Sequence, residues 1–550
     1  MTWVAPVEAP NSDPVKRPGA SIARGAALIA GLTMLSRLLG LVRTLVFSQT
    51  IGAGCVGTAY ATANQVPNLV YELVLGGALT SAMVPVLARS AEGAASDPTE
   101  RARVGQISSA LLTWSVILLV PLTVAIAAAA GPIASLLNPA NHNTQCNHAD
   151  MVAATSSMLT VFAPQILLYG LSVVLFGLLQ AYRRFTGPTL APAISSLVLI
   201  ASYLAFVPLS KGLPLSRLPE LAQVILSVGT TMGVAALVVV PLLPTRRLHL
   251  RFRPTLQFPP GVARRAGGLA LVGVVEIVAS DLSSVVVIAL ANGRGLTGAL
   301  VLFNYAWQAF SSVSAVLALS IATSAFPVLS ARDGSVFDRT CAGSTRAVLL
   351  VSWLGTAVLA AIAVPAGHVL AKQPDQVPQV ILGFAAFTPG LAGMGVIANL
   401  SRVMFALGRL RVAAWALVGS QLVVLLSDVM LAGLAPARLV VAALGLGNSI
   451  GQILVAIPLV IATRRIRGRS AVEGVGRATF AGLAGAAAGA AVGLATGLVL
   501  PISHKLQAAG VALVAAGCAA LVFGLVVLVL DHYDLRAVLT RLHRRRRLES

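Results

Sequence analysis

Charge is what this 550-residue chain has least of. Only 10% of its residues are Asp, Glu, Lys or Arg, against about 25% in ordinary soluble domains. With 57% of residues hydrophobic, there is too little polar surface to shield the chain from water, which excludes a soluble enzyme or binding module. Acidic residues are scarcest: 18 against 39 Lys and Arg, a formal net charge of +21. On a soluble chain that excess would point to nucleic acid. Here aromatics are only 5%, no nucleic-acid motif is present, and the basic residues gather in short connections between apolar runs. The positive-inside rule accounts for them, and no nucleic-acid partner is expected. The four cysteines, Cys55, Cys146, Cys341 and Cys518, give no metal framework. The loops are short and hold no Asp-x-Asp pair, so an enzyme acting on a polyprenyl phosphate would lack its carboxylates. The chain reads as a non-enzyme.

What is present is long apolar sequence. A helix crosses a bilayer with about 20 apolar residues, and fourteen such runs occur between 24–50 and 506–531. The fold class is therefore an all-α polytopic membrane protein. With the N-terminus inside, the inner connections hold Arg101, Arg103, Arg183, Arg184, Arg246, Arg247, Arg251, Arg253, Arg264 and Arg265, and later Arg339, Arg346, Arg409, Arg411, Arg464, Arg465 and Arg467. The outer connections hold only Lys211, Arg217, Arg294, Lys372, Arg438 and Lys505. This bias places both termini in the cytoplasm of a multi-pass cell-membrane protein. No short apolar segment with a cleavage site precedes the first span, which reads as uncleaved.

Two halves repeat. Thr80-Ser81-Ala82-Met83-Val84-Pro85-Val86-Leu87 closes the second span and Thr323-Ser324-Ala325-Phe326-Pro327-Val328-Leu329 the eighth. Phe162-Ala163-Pro164 in span four matches Phe387-Thr388-Pro389 in span ten, with Gln180, Ala181 and Arg184 answered in register by Phe405, Ala406 and Arg409. A six-helix repeat keeps the same topology, so the lobes should be related by an axis along the membrane normal. The expected organisation is a disordered N-terminus (1–22), an N-lobe (23–245), a basic cytoplasmic linker (246–265), a C-lobe (266–465), two further spans (466–531) and a basic tail (532–550).

Polar residues inside spans are costly and normally face a cavity or substrate path. Span one (24–50) carries Ser36, Arg37 and Arg43. Six residues leave the arginines about 120° apart on an ideal helix; a bend at Gly40 would bring both to one cavity. Arginine suits phosphate because its planar fork binds two oxygens and stays charged when poorly hydrated. Span two (57–88) carries Asn64, Asn68 and Glu72 at i, i+4 and i+8, with Pro67 freeing a backbone carbonyl. Glu72 is the natural counter-ion for Arg37 or Arg43. Span eight (297–329) echoes the stripe with Asn304, Gln308 and Ser312. The two stripes read as walls of one central cavity, or as polar glue between helices. Glu276 and Asp281 in span seven and Asp428 in span eleven are carboxylates of the kind that bind a coupling cation or relay protons, or else serve structure alone. Cys55 and Cys146 fall in outer loops of one lobe, where a disulfide is permitted. His142, Cys146 and His148 read as a solvated loop rather than a metal clip.

The segments Ser36–Arg43 (SRLLGLVR), Asn64–Val70 (NQVPNLV), Thr80–Ala88 (TSAMVPVLA) and Arg183–Pro192 (RRFTGPTLAP) resemble those of the MurJ (MviN) family of lipid II flippases, in its actinobacterial branch. That family lies within the multidrug/oligosaccharidyl-lipid/polysaccharide exporter superfamily. The resemblance implies a MATE-like pair of six-helix lobes plus two C-terminal helices. It also implies translocation of an undecaprenyl-pyrophosphate-linked peptidoglycan precursor by alternating access, in cell-wall biosynthesis. Ser36, Arg37, Arg43 and Asn68 match family cavity positions. The family's basic pair is replaced by Tyr71 and Glu72, and its Asp-Arg in span eight by Trp307 and Gln308, so a pyrophosphate would meet fewer positive charges. Some members hold sodium on spans seven, eleven and twelve. Asp281, Asp428 and Asn448 lie in comparable regions and imply a sodium coupling ion, with no other cofactor. The partners implied are the lipid-linked precursor, membrane lipids and cell-wall synthesis proteins. Two other readings stand beside this one: a transport-inactive scaffold of the cell-wall machinery, and another cation-coupled exporter of the superfamily.

Overall fold

A computed structural model of the chain describes residues 18–73, 97–246, 248, 253–257, 262–331 and 334–531. The Thr80–Leu87 motif, the 532–550 tail, most of the 1–22 stretch and much of the linker lie outside the described residues. Thirteen described stretches are helical, long and apolar enough to cross a membrane. The helix α2 (Cys55–Leu73) is the described part of the remaining expected span. It follows α1 (Pro18–Thr50), which is one continuous helix.

In the first half come α3 (Pro98–Ala128) and α4 (Ala130–Leu137), then α5 (His148–Phe162) and α6 (Gln165–Ala181), then α7 (Thr186–Ser210) and α8 (Glu220–Arg246). α3 starts where Asp97 caps the Thr99 amide and Pro98 occupies the first turn. The second half holds α9 (Val262–Arg294), α10 (Ala299–Ala331), α11 (Gly334–Ala361) and α12 (Ala363–Leu370). Then follow α13 (Val377–Phe387), α14 (Gly390–Ala406), α15 (Leu410–Leu434) and α16 (Val440–Arg467).

The halves match in detail. α4 and α12 are each 8 residues, α6 and α14 each 17, and α7 and α15 each 25. The breaks before α6 and α14 fall at Ala163-Pro164 and Thr388-Pro389, where proline lacks the amide needed to continue the ladder. α6 and α14 also end alike. The Arg184 amide bonds the Leu179 carbonyl and the Arg409 amide bonds that of Met404, both at 2.8 Å. The preceding residue is left-handed in each case, Arg183 at φ 56° and Gly408 at φ 69°.

Two C-terminal helices, α17 (Val475–Val499) and α18 (Lys505–Leu530), pack against α11 of the second lobe. α17 approaches closely through Gly482, Gly485, Gly489, Gly493 and Gly497; a Cβ at Gly482 would meet the Trp353 ring and one at Gly493 would meet Ala361. Small residues at this spacing let helix backbones approach in lipid. The outward faces stay apolar, with Leu513, Leu521 and Val529 all more than two-thirds exposed, as suits a lipid solvent.

The core shows how the lobes meet. One buried cluster runs across both lobes at the end bearing Cys55 and Cys146, joining Phe47, Tyr60 and Phe162 to Leu300, Phe310 and Phe387. At the arginine-rich end each lobe has its own cluster, Val104, Ile107 and Leu178 in the first and Phe337, Leu400 and Met404 in the second. The lobes thus share a core at one end and are separately packed at the other.

Candidate functional site

The split between the lobes leaves a cavity of about 500 Å³, lined from α1, α2, α6, α7, α8 and α10. From α1 it receives Ser36, Gly40, Arg43, Thr44 and Phe47. These positions form one helical face, because seven residues return within about 20° of the starting direction. Arg37 does not line the cavity; it is exposed. α1 runs through Gly40 as one continuous helix, and the two arginines do not share its cavity-lining face.

From α2 the cavity receives Tyr60, Asn64, Asn68 and Tyr71. Glu72 is exposed and lies off this wall. The reason is angular: from Asn64, seven residues bring Tyr71 back almost in line, whereas eight carry Glu72 about 80° away. Among the described residues Glu72 forms no ion pair with Arg37 or Arg43, so the expected counter-ion is not there. Asn304 and Gln308 of α10 face the same space with Tyr305, while Ser312 does not. Trp307 stacks on Phe310 with ring centroids 5.5 Å apart, and both rings pack near Phe387. At Trp307 and Gln308 this lobe offers the cavity region an indole and a carboxamide.

Among the described residues Arg43 is the one charged side chain lining the cavity, and no ion pair or hydrogen bond holds it. Its neighbours are neutral. The Tyr60 hydroxyl sits between those of Tyr203 and Thr230, 3.0 Å from each. Thr230 donates its proton to the Leu226 carbonyl at 2.7 Å, so it accepts from Tyr60, which in turn accepts from Tyr203. That relay is closed. Tyr169 donates to Asn68 Oδ1 at 2.9 Å and lies against Tyr71 with centroids 4.4 Å apart. By contrast Asn64 Oδ1 and the Tyr305 hydroxyl are buried without a partner. The tyrosines come from four helices, and packing rather than sequence spacing brings them together. Only Tyr60, one turn before Asn64, and Tyr71 gave a local signal.

The cavity is shut at the disulfide end. Cys55 and Cys146 are joined, as the sequence permitted, so Cys146 is not a metal ligand, and His148 Nε2 pairs with the Asn138 carbonyl at 3.0 Å. The loop so anchored reaches the other lobe. Asn141 Nδ2 donates to the Asn292 and Gly295 carbonyls at 2.7 and 2.9 Å, and the Gln145 amide to Thr297 Oγ1 at 3.2 Å. Asn292 Nδ2 returns bonds to Thr62 Oγ1 and the Leu137 carbonyl, both 2.9 Å. Gln376 and Lys372 donate to the carbonyls of Ala53 and Thr50. Gly298, at φ 86°, lies so close to Ala53 that a Cβ would fall 2.1 Å from its carbonyl oxygen. The innermost of these ties is Thr44 Oγ1 to Gln308 Oε1, 2.9 Å. Among the described residues no hydrogen bond or ion pair joins the lobes beyond it toward the arginine-rich end.

A second, small cavity of about 70 Å³ lies between α9, α10, α15 and α16, lined by Ser280, Ser283, Ser284, Gln421, Asp428 and Asn448 among others. Asp428 is 1% exposed. Both its carboxylate oxygens, and Asn448 Oδ1, are buried without a partner. The expected trio is therefore divided: Asp428 and Asn448 share this space, and Asp281 does not line it. Hard, unpartnered oxygens of this kind fit a small cation.

The sequence profile of the family described as Lipid II flippase MurJ matches residues 47–510. A lipid II flippase MurJ of Burkholderia cenocepacia is 29% identical over 185 residues, 34% of this chain and 34% of that protein. A probable lipid II flippase MurJ of a Synechocystis species is 29% identical over 251 residues, 44% of each. The chain thus spans between a third and a half of these curated relatives. Among solved structures, a lipid II flippase MurJ in an inward closed conformation superposes with a TM-score of 0.70 at 16% identity, covering 92% of this chain and 98% of its own. An inward-facing MATE-family multidrug transporter of the MOP superfamily gives 0.62 at 12%, covering 82% and 99%. At such identities these likenesses establish the fold.

Proposed function

This chain belongs to the lipid II flippase MurJ family, and we propose that it carries lipid II, the undecaprenyl-pyrophosphate-linked peptidoglycan precursor, from the inner to the outer leaflet of the cell membrane. The observation that carries this reading is the inter-lobe cavity whose single charge is Arg43, free of any protein partner among the described residues. A part-buried guanidinium on the cavity wall without a counter-ion leaves a positive charge for a ligand to meet, and a pyrophosphate matches its planar fork. The arginine-rich loops mark the cytoplasmic side, so the disulfide end is the outer one and both termini are cytoplasmic. The state described is then closed outward, with the lobes separately packed inward.

Transport follows by alternating access. The headgroup enters from the cytoplasmic side, Arg43 holds the pyrophosphate, and the hydrogen bonds at the disulfide end give way as the lobes rock about the cavity. The polyprenyl tail remains in lipid. Sodium fits as the coupling ion: Asp428 and Asn448 would hold it, with serine hydroxyls of α9 alongside, and it would supply one positive charge to a buried carboxylate. Asp428 belongs to the second lobe, which packs across the interface at Asn304 beside both cavities; an ion there has a route to bias lobe position. Docking with cell-wall synthesis proteins is a further part of the reading.

Conditional depletion in the host tests the function. Lipid II accessible to an externally added enzyme that cleaves its headgroup should fall on depletion while total lipid II rises. Unchanged outer accessibility would refute it.

A further inference from the structure

We infer that the α2–α6 wall of the cavity is a saccharide subsite, in which the Tyr71 ring is the platform for a pyranose and the neutral groups around it read the sugar's hydroxyl and amide substituents. The inference rests on the flippase reading and names which residues recognise which part of the ligand.

Five of the chain's seven tyrosines line this one cavity, and they divide into two kinds. Tyr60 and Tyr203 belong to the closed hydroxyl relay ending on the Leu226 carbonyl and are buried among Phe47 and Phe162. Their polar groups are spent, so they form structure. Tyr71 differs. One side of its ring lies on Tyr169 at 4.4 Å, and the ring is part-buried and faces the cavity. Tyr169 is itself fixed by its bond to Asn68 Oδ1, so the platform is held rigid from behind, with the Asn68 amide protons left for a ligand.

The polar atoms left without partners point the same way. Asn64 Oδ1 and the hydroxyl of Tyr305, a residue 5% exposed, are buried, line the cavity and bond to nothing. Buried polar atoms are nearly always paired, so such a pair on facing helices marks places where a ligand supplies the partner. One is an acceptor and the other a donor and acceptor. With the Asn68 amide they suit hydroxyl and acetamido groups, which carry no charge. A peptide stem with its carboxylates would call for cations, and among the described residues the lining holds only Arg43. An aromatic face gives apolar area to the C–H face of a sugar while the polar tips read its edge. A site built to hydrogen-bond such groups rejects a ligand lacking them, because its own groups are left unpaired.

The test is binding of purified full-length protein in nanodiscs, by native mass spectrometry, to lipid II and to undecaprenyl pyrophosphate, which shares the anion and tail but has no sugar. Wild type should favour lipid II. Tyr71→Leu should weaken lipid II by about tenfold, which is about 1.4 kcal/mol, and leave undecaprenyl pyrophosphate unchanged, the latter also showing that the variant is folded. Tyr71→Phe, which keeps the ring, should bind both as wild type. Asn64→Leu should lose lipid II selectively as well. Equal weakening of both lipids by Tyr71→Leu, or of neither, would overturn the subsite while leaving the flippase reading standing. Selectivity that follows removal of the peptide stem rather than of the sugars would assign the wall to peptide and overturn it too. Wild-type protein that binds neither lipid would end both readings.

Discussion

Arg43 and Arg37 are alike in sequence and opposite in place. Arg43 shares a helical face with Ser36 and lines the cavity, whereas Arg37 is exposed. Arg37→Ala should therefore complement a depleted strain at near wild-type growth, since its side chain lies off the cavity wall. Arg43→Lys keeps the charge but loses the two-pronged fork and should complement only in part; growth under graded depletion separates these outcomes. Asp428 makes a different claim. It is buried, with both oxygens unpartnered, next to Asn448. Sodium chloride should raise the melting temperature of the purified wild type above that in potassium chloride, and Asp428→Asn should abolish the difference. Equal melting temperatures in the two salts for wild type would remove sodium from the account.

At the scale of elements, the loop between α4 and α5 is a strap. Cys146 ties it to the start of α2, and Asn141 and Gln145 carry it onto the α9–α10 turn of the other lobe. Without the disulfide the loop has no covalent hold at the point where it crosses. Loss of a native disulfide typically costs roughly 2–5 kcal/mol; Cys55→Ser with Cys146→Ser should lower the melting temperature and expose a cysteine placed at Thr62 to an outer, membrane-impermeant thiol reagent. Gly298→Val acts at the same joint from the other side. Its positive φ and the 2.1 Å approach to the Ala53 carbonyl leave no room for a side chain, so the variant should favour the outward-open arrangement by the same labelling.

Elements were the part most legible in the sequence. Apolar length gave the spans, and Phe162-Ala163-Pro164 with Phe387-Thr388-Pro389 gave the repeat, because proline breaks a helix by local chemistry. Asn64, Asn68, Asn304 and Gln308 were legible as stripes for the same reason. Glu72 was misplaced because a spacing of four, applied twice, overshoots a 3.6-residue turn. Tyr169, Tyr203 and Tyr305 sit on separate helices, and only packing brings them together. The strap was illegible too, since its bonds run from loop side chains to backbone carbonyls of a distant turn.

At the scale of the molecule, the core is continuous across the lobes at one end and divided at the other. If rocking of the lobes is the transport step, fixing them at the closed end must stop it. Thr50→Cys and Lys372→Cys place two thiols where Lys372 now bonds the Thr50 carbonyl at 2.9 Å. A short bismaleimide should halt outward movement of lipid II in the double variant and leave either single variant active. Continued movement in the cross-linked protein would show that this end does not open.

The central claim is that Arg43 receives the pyrophosphate in a cavity with no other charge among its described lining. It is tested most directly by measuring outer-leaflet lipid II, through cleavage by an externally added headgroup hydrolase, in depleted cells producing Arg43→Ala at wild-type abundance. The account predicts cleavage no higher than in depleted cells carrying no complementing copy. Cleavage equal to that with the wild-type protein would contradict it.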